Sequence, residues 1–213
     1  MSDVAVAWAE VLRRVAAAAE RVGRDPAAVT VVAASKTVPV ERIRPLLAAG
    51  CTDLGENRAQ ELLAKAPDLA DLAPTWHFIG PLQRNKVKAL APWVSCWHTV
   101  DRSALVPVLA ERAPAARVLV EVNQAGEAQK AGCAPAEVAG LVGEARAAGL
   151  DVVGLMTVPP AGTDPRPFFA DLAARARDLG LPECSMGMSG DFEVAVEEGA
   201  TLVRVGSLLF GHR

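Results

Sequence analysis

Lys36 is the residue whose surroundings in the sequence most favour covalent chemistry. It directly follows VTVVAAS, an apolar and largely β-branched run over residues 29–35, which predicts a strand buried on both faces. A lysine at the end of such a strand is partly removed from water, which favours its neutral amine. A neutral amine attacks aldehydes and forms a Schiff base. The alternative is a lysine that only carries its charge to solvent at the strand end.

Two groups of small residues near the C-terminus are typical of anion binding. They lie in the sequences SMGMSGD and VRVGS, which contain Ser189, Gly190, Gly206 and Ser207. Backbone N–H groups and hydroxyls of such residues bind phosphate, and small side chains let the anion approach the backbone closely. The alternative is two ordinary turns between a strand and a helix, with Ser189 capping a helix.

Lys36 and the two small-residue groups are far apart in the sequence, so a shared site requires a fold that brings them together. The sequence pattern predicts such a fold. Short apolar runs alternate with stretches rich in Ala, Leu and Arg. The predicted strands are 29–35, 51–55, 76–80, 96–100, 117–123, 151–156, 183–187 and 201–206. The predicted helices between them are 40–49, 57–66, 83–91, 102–112, 135–149, 165–180 and 190–199. Eight strands that alternate with helices predict an α/β fold, a (β/α)₈ TIM barrel, with an open doubly wound sheet as the competing architecture.

The N-terminal residues 1–22 have the pattern of an amphipathic helix that precedes the barrel. Charged residues run through this stretch, which is atypical of a signal peptide. The Pro-rich segment 159–167 is too short to separate two domains, so we predict one domain over residues 1–213. No apolar run approaches the roughly 20 residues of a membrane span, and we expect a cytoplasmic protein with no membrane partner.

Composition excludes several classes of function. The chain has 213 residues, of which 51% are apolar and 22% charged, so it is no disordered segment. A net charge of −3 disfavours nucleic acid binding, which needs clustered Lys and Arg. The four cysteines form no C-x-x-C pair and are interpreted as buried thiols of a reducing compartment. Only Cys96 and His98 approach the spacing of zinc ligands, and we predict no metal site.

In a closed barrel the first and last strands are neighbours, so Lys36 and the two small-residue groups would share one site at the carboxyl end. A ligand with both an aldehyde and a phosphate would span them, and pyridoxal 5′-phosphate (PLP) is such a ligand. Arg204 would then lie near the pyridine nitrogen. Because a guanidinium only donates hydrogen bonds, it would leave that nitrogen neutral and weaken carbanion chemistry.

Eight motifs, in order along most of the chain, carry a resemblance to a known family. They are ASKTVP at 34–39, GENRAQE at 55–61, WHFIGPLQRNK at 76–86, VDR at 100–102, VNQAGEAQKAG at 122–132, GLMTVPP at 154–160, SMGMSGDFEVA at 185–195 and RVGSLLFG at 204–211. From about Val31 onwards the chain resembles the pyridoxal phosphate homeostasis proteins of the YggS/PROSC type. It departs modestly from their pattern at Gln124, Ala125, Pro81, Arg84 and Gly190.

The resemblance implies a single-domain barrel similar to the N-terminal domain of alanine racemase, with PLP held as a Schiff base. The residues that it implies for cofactor binding are Lys36, Asn57, Met186, Ser189, Arg204, Gly206 and Ser207. Ser189, Gly206 and Ser207 would hold the phosphate, and Arg204 would face the ring nitrogen. Asn57 and Met186 would line the pocket.

The family is implied to carry or buffer PLP, with PLP-dependent apoenzymes as candidate recipients and without strong catalytic activity. The alternative is a PLP-dependent amino acid racemase. Racemisation needs acid and base groups on both faces of the substrate, and alanine racemase takes one of them from a tyrosine across its dimer. This sequence contains no tyrosine, so we assign no catalytic residue. We also expect no second domain, which in the racemase forms the dimer contact, and therefore expect a monomer. A Schiff-base aldolase acting on a sugar phosphate is a more distant alternative.

Five further side chains are candidates for other roles. His77 is either a proton carrier near the ring or a packed strand histidine, and Lys130 is either a second amine near the cofactor or a solvated loop charge. His98 and His212 are interpreted as structural or exposed. Glu56 pairs with Arg58 or orients Asn57.

Overall fold

Residues 3–211, which the computed structural model describes, form a closed barrel of eight parallel strands in sequential order. The strands are β1 (Thr30–Ala34), β2 (Asp53–Glu56), β3 (Thr75–Phe78), β4 (Val94–Val100), β5 (Arg117–Glu121), β6 (Asp151–Met156), β7 (Glu183–Met188) and β8 (Leu202–Val205). The barrel closes where β8 pairs with β1, with Arg204 opposite Val32. The predicted (β/α)₈ barrel is confirmed, and the alternative of an open sheet is wrong.

Helices connect the strands on the outside of the barrel. They are α1 (Asp3–Arg21), α2 (Val40–Ala48), α3 (Ala59–Lys65), α4 (Val87–Leu90), α5 (Val106–Arg112), α6 (Val138–Ala147), α7 (Arg166–Asp178), α8 (Phe192–Glu197) and α9 (Ser207–Phe210). The predicted helix 135–149 begins later than expected, because the Glu137 carboxylate accepts from the N–H of Ala134 and forms a turn before the helix. The four-residue helix α9 was not predicted, since its SLLF sequence is too short to show a helical period.

Strand side chains alternate between two apolar layers. Val31 and Ala33 of β1 belong to the large cluster between strands and helices, whereas Val32 belongs to a smaller cluster inside the barrel with Cys96 and Leu119. This period of two is a property of all β-strands. It decides which side chains of each strand reach the barrel interior and which face the helices.

Helix α1 covers the outside of the barrel beside its last two helices, α8 and α9. Val4, Trp8, Val11 and Val15 form its buried stripe, with the spacing of one helical face. The remainder of the predicted helix, residues 1 and 2, lies outside the described residues, as does His212. In the part of the chain that the structure describes, no helix is long and apolar enough to cross a bilayer.

Two ion pairs fasten α1 to α8. The Arg14 and Arg21 guanidinium groups each lie 2.8 Å from the carboxylates of Glu193 and Glu197, respectively. The guanidinium of Arg14 also stacks over the Phe192 ring, 4.8 Å from its centroid. The N-terminal helix is therefore attached to the element that follows β7.

Gly154 is required by close backbone contact between two strands. A Cβ atom at this position would lie 2.2 Å from the carbonyl oxygen of Glu183 on β7. The register of β5 and β6 also shifts here, because Val118 pairs with Val152 and Leu119 with Gly154. No side-chain rotation relieves a clash with backbone, so any larger residue must move the strands apart.

Substituting Gly154→Ala should lower the free energy of unfolding by about 2 kcal/mol or more, as expected for overpacking in a core. Gly143→Ala is the matched control, since its Cβ would meet no atom within 4 Å on α6, and it should stabilise the helix by about 0.5–1 kcal/mol. Urea unfolding followed by circular dichroism measures both values. Equal effects of the two substitutions would contradict the assigned strand contact.

Candidate functional site

A cavity of about 670 Å³ opens at the carboxyl ends of β1, β7 and β8. Five of the seven residues predicted for cofactor binding line it: Lys36, Ser189, Arg204, Gly206 and Ser207. They come from segments more than 150 residues apart in the sequence, joined by the β1–β8 pairing. The cavity therefore combines an amine, a guanidinium, hydroxyl groups and backbone amides.

Lys36 lies in a tight turn just after β1, and it is exposed rather than partly buried as the sequence suggested. The strand ends at Ala34, two residues earlier, so the lysine projects beyond the sheet. The turn is closed by the N–H of Val38, which donates to the carbonyl of Ser35 (2.9 Å). Thr37 has a φ of +59°, a left-handed conformation that is unfavourable for a β-branched residue.

A buried charge cluster on α3 holds this turn in place. The Lys65 Nζ donates to the carbonyl of Ser35 (2.7 Å) and to Glu56 Oε1 (2.6 Å), and it also reaches Glu61 Oε2 (3.3 Å). Glu61 in turn accepts from the strained Thr37 N–H at 2.5 Å. The cluster thus contacts the backbone on both sides of Lys36.

Sequence reasoning missed this cluster. It considered a pair between Glu56 and Arg58, whereas Glu56 pairs with Lys65 and Arg58 lies 3.8 Å from Glu61. The i, i+4 spacing of Glu61 and Lys65 is the signal that indicates a helical pair. Burial raises the pKa of Glu56 above its ordinary value, although the hydrogen bonds from Lys65 and Ser35 oppose that shift.

The two small-residue groups meet on the opposite wall of the cavity. The N–H of Gly206 donates to Ser189 Oγ at 3.1 Å, which joins the loop after β7 to the loop after β8. A Cβ at position 206 would lie 3.2 Å from the carbonyl oxygen of Ala34, so only a small residue fits beside β1. Through these contacts the two small-residue groups form one continuous surface.

Backbone amides are concentrated along that surface. A turn places Ser189 and Gly190 between Met188 and Asp191, whose carboxylate accepts from the N–H of Met188 (2.6 Å). The first amides of α9, beginning with Ser207, precede any intrahelical acceptor, as in every helix. Hydroxyls and amides without competing bulk are the groups that bind a phosphate.

Arg204 lies at the inner end of the cavity and is 5% exposed. Its guanidinium donates to Ser185 Oγ (2.5 Å) and to the carbonyl of Thr157 (2.9 Å). Burial lowers the pKa of Arg204 to about 10, while the charges of Glu121 and Asp191 act in the opposite direction. The group therefore stays cationic at neutral pH and presents only N–H donors.

A row of buried polar side chains continues from Ser185 through the barrel interior. His98 Nδ1 lies 2.8 Å from Ser185 Oγ, and His98 Nε2 lies 2.8 Å from His77 Nδ1. His77 Nε2 lies 2.9 Å from Asp53 Oδ1 at the amino end of β2. His77 is thus a packed strand histidine that is connected to Arg204 through three hydrogen bonds.

Asn57 belongs to a different cavity from Lys36. This second cavity, of about 290 Å³, is also lined by Glu121 and Lys130. Asn57 Oδ1 and Glu121 Oε2 are buried, and neither has a hydrogen-bond partner among residues 3–211. Lys130 Nζ lies 2.5 Å from Glu127 Oε2 and 3.0 Å from the carbonyl of Pro159. Lys130 is therefore held by its own loop and the loop after β6.

Met186, predicted to line the pocket, is fully buried between the strands and the helices. Ser185, its neighbour on β7, points into the barrel interior toward Arg204 and His98. Successive strand residues face opposite sides, so Met186 faces the helices. The SMGMS motif alone could not distinguish these two sides.

His77, Cys96 and His98 bring potential metal-ligand atoms within 4.8 Å of one another. The facing imidazole nitrogens already hydrogen-bond to each other. Burial also raises the pKa of the Cys96 thiol to about 12, and metals bind the thiolate rather than the thiol. The chemistry of this cluster therefore favours hydrogen bonding over metal coordination.

Similarity to known proteins shows which family the chain belongs to. A family model described as the N-terminal domain of alanine racemase matches residues 7–213. A curated relative from Pseudomonas aeruginosa, named pyridoxal phosphate homeostasis protein, is 43% identical over an alignment of 223 positions that covers 100% of this chain and 97% of the relative. The chain belongs to the pyridoxal phosphate homeostasis protein family. Its curated relatives are named for homeostasis rather than for a catalysed reaction.

Solved structures agree with this assignment. A protein of unknown function from Bifidobacterium adolescentis superposes with a TM-score of 0.91 at 34% identity, covering 99% of this chain and 97% of that one. The family member PipY of Synechococcus elongatus, solved with PLP bound, superposes with a TM-score of 0.81 at 34% identity, covering 94% and 100%. The resemblance found in the sequence is confirmed.

Replacing Lys65 by Met should lower the free energy of unfolding by about 3–5 kcal/mol, because it leaves the buried Glu56 carboxylate without its partner. The double variant Glu56→Gln/Lys65→Met should recover most of this loss, since the fully buried Glu56 carboxylate is removed together with its partner. Lys88→Met, at an exposed lysine of α4, is the control and should change stability by less than about 0.5 kcal/mol. Urea denaturation at neutral pH measures all three. A double variant as unstable as Lys65→Met would contradict the pairing.

Glu121 should make the protein less stable as pH rises. Burial raises its pKa to about 7, with the charge of Asp101 adding to the shift and that of Arg204 opposing it. Between the ordinary value and about 7 the unfolded chain loses this proton first, so Glu121 should cost up to about 3 kcal/mol of stability between pH 4 and pH 8. Glu121→Gln should remove that slope from the unfolding free energy. An unchanged slope would show that Glu121 is ionised in the folded protein.

Proposed function

We propose that this protein binds PLP in the 670 Å³ cavity and serves intracellular PLP homeostasis as a carrier or buffer of the cofactor. The observation that carries the proposal is the joint presence of Lys36, Arg204 and the amide-rich surface around Ser189 and Gly206 in one cavity. PipY, whose full length is matched by this chain, was solved with PLP bound. This supports the choice of ligand.

The donor set fits the three functional groups of PLP. When bound, PLP supplies an aldehyde that a lysine amine can hold reversibly as a Schiff base. Lys36 is the lysine that lines the cavity. Ser189 and Ser207 offer hydroxyls and amides for the phosphate, and the Gly206 N–H supports the site by donating to Ser189 Oγ. A Cβ at position 206 would crowd the Ala34 carbonyl oxygen, which favours a small residue there.

Arg204 is compatible with a holding role, although racemases share an arginine at this place, and the missing tyrosine is what argues against racemisation. A guanidinium donates to the pyridine nitrogen and cannot stabilise a proton on it, which weakens the electron withdrawal that carbanion chemistry needs. The sequence also lacks any tyrosine that would serve as the second acid–base group of a racemase. We therefore propose that the protein has no strong catalytic activity of its own.

The exposed position of Lys36 supports reversible binding. Its turn lies at the mouth of the cavity, so water can reach the amine and hydrolyse its bond to the ligand. A carrier needs this access, because the ligand must leave again. We extend the proposal to a cytoplasmic, monomeric, single-domain protein that passes PLP to PLP-dependent apoenzymes, with Asn57 contributing from the second cavity.

An absorbance experiment tests the proposal. The purified protein, incubated with PLP, should gain a visible band that borohydride fixes to the chain, and peptide mass spectrometry should place the modification on Lys36. Lys36→Ala should lose the band and the modification. Lys88→Ala is the control at an exposed lysine outside the cavity, and Lys130→Ala tests the second amine; both should keep the modification on Lys36.

Wild-type protein that takes up no PLP would overturn the proposed function. If the wild-type protein is modified at Lys130 instead of Lys36, the PLP attachment point lies in the second cavity. Adding D- and L-alanine in deuterated water separates a carrier from a racemase. A carrier leaves the α-proton of both enantiomers in place, as NMR detects, whereas a racemase exchanges it for deuterium.

A further inference from the structure

The polar row inside the barrel is a continuous chain of four hydrogen bonds. It links Arg204 to Ser185 (2.5 Å), Ser185 to His98 (2.8 Å), His98 to His77 (2.8 Å) and His77 to Asp53 (2.9 Å). Its members come from β8, β7, β4, β3 and β2. The chain therefore crosses the barrel from the cavity to the amino end of β2.

With two neutral imidazoles, only one direction satisfies both ends of the hydrogen-bond chain. A guanidinium has only donors, and an ionised carboxylate has only acceptors. Because Ser185 Oγ accepts from Arg204, its own proton is available to His98 Nδ1. His98 then carries its hydrogen on Nε2 and donates to His77 Nδ1, and His77 donates from Nε2 to Asp53. All four hydrogen bonds point from the arginine toward the carboxylate.

In this direction each imidazole carries one hydrogen, on Nε2, so both are the same tautomer. Complete burial lowers the pKa of His98 well below its ordinary value, and its neighbours His77 and Arg204 add to that shift. At the other end, burial acts to raise the pKa of Asp53, but the hydrogen bonds from His77 and Thr52 outweigh it, and the pKa is lowered. The carboxylate is thus ionised at neutral pH, as the chain requires.

The hydrogen-bond chain also helps to stabilise the buried charge of Arg204. Among residues 3–211, no carboxylate forms an ion pair with its guanidinium, whose two hydrogen bonds reach neutral acceptors on Ser185 and Thr157. A buried charge without compensation is costly. Aligned hydrogen bonds polarise one another, so the Asp53 carboxylate partly compensates Arg204 through the chain.

We propose that Asp53, His77, His98 and Ser185 are positioning residues that fix Arg204 as an oriented, donor-only group at the inner end of the cavity. The proposal rests on the proposed function, which has the pyridine nitrogen of PLP at this point. It adds a specificity: the site selects a ring with an unprotonated nitrogen acceptor facing Arg204. Asp53, at the opposite end of the barrel, influences this selection because it orients Arg204 through the hydrogen-bond chain.

The first test uses the protein without cofactor. Nitrogen-15 NMR of histidine-labelled wild type at neutral pH should show His77 and His98 as neutral Nε2–H tautomers. Asp53→Asn, which removes the charge but keeps the size, should shift the signals of both histidines. Asp151→Asn is the matched control at the amino end of β6, where the carboxylate is exposed, and it should shift neither.

The second test measures selection at the ring nitrogen. Binding of PLP is compared with that of its 1-deaza analogue, in which a C–H replaces the nitrogen. The wild type should prefer PLP by about 10-fold or more, the value of one hydrogen bond to a charged group. Ser185→Ala and Asp53→Asn should reduce this preference several-fold, whereas general damage to the site would weaken both ligands equally. Asp151→Asn should keep the wild-type preference.

The outcomes separate the two proposals. No PLP binding by the wild type would overturn the proposed function, and with it the selection at the nitrogen. PLP binding with an unchanged preference in Ser185→Ala and Asp53→Asn would overturn the positioning role alone. An Nδ1–H or doubly protonated His98 would overturn the direction of the chain. So would stoichiometric zinc binding that shifts both histidine signals, because the nitrogens would then be metal ligands.

Discussion

The pairing of the last strand with the first is the constraint on which the rest of the structure depends. With Arg204 opposite Val32, the residues that follow β8 are placed beside those that follow β1. The lysine turn and the amide-rich loops then share one cavity, although they are far apart in the sequence. A Cβ at position 206 would lie 3.2 Å from the Ala34 carbonyl oxygen, so the closure leaves little space between the two strands at this point.

Two buried cations near the cavity, Lys65 and Arg204, are held by polar networks of different kinds. Lys65 contacts its carboxylates directly and uses them to hold the backbone around Lys36. Arg204 contacts only neutral oxygens and depends on a longer chain of hydrogen bonds. The first network shapes the mouth of the cavity, and the second orients its inner end.

The local sequence pattern was sufficient to predict the fold and most of the residues that line the cavity. The apolar runs predicted eight strands because strands buried on both faces are continuous in hydrophobicity, and β6 was predicted with its observed bounds. Pattern failed where three-dimensional contacts decide. The sides faced by Met186 and Asn57 depend on strand register and loop packing, and the partner of Glu56 depends on where α3 ends. The hydrogen-bond chain joins five strands, so no local spacing could indicate it.

Closure between the first and last strands also has a consequence for biosynthesis. The lysine turn leaves the ribosome long before β8 and the loop with Gly206, which lie much later in the sequence. A nascent chain cannot assemble the cavity until these later segments have emerged, and contacts of such long sequence separation form late in folding. Capture of the ligand by the assembled cavity therefore has to follow translation of β8 and the Gly206 loop.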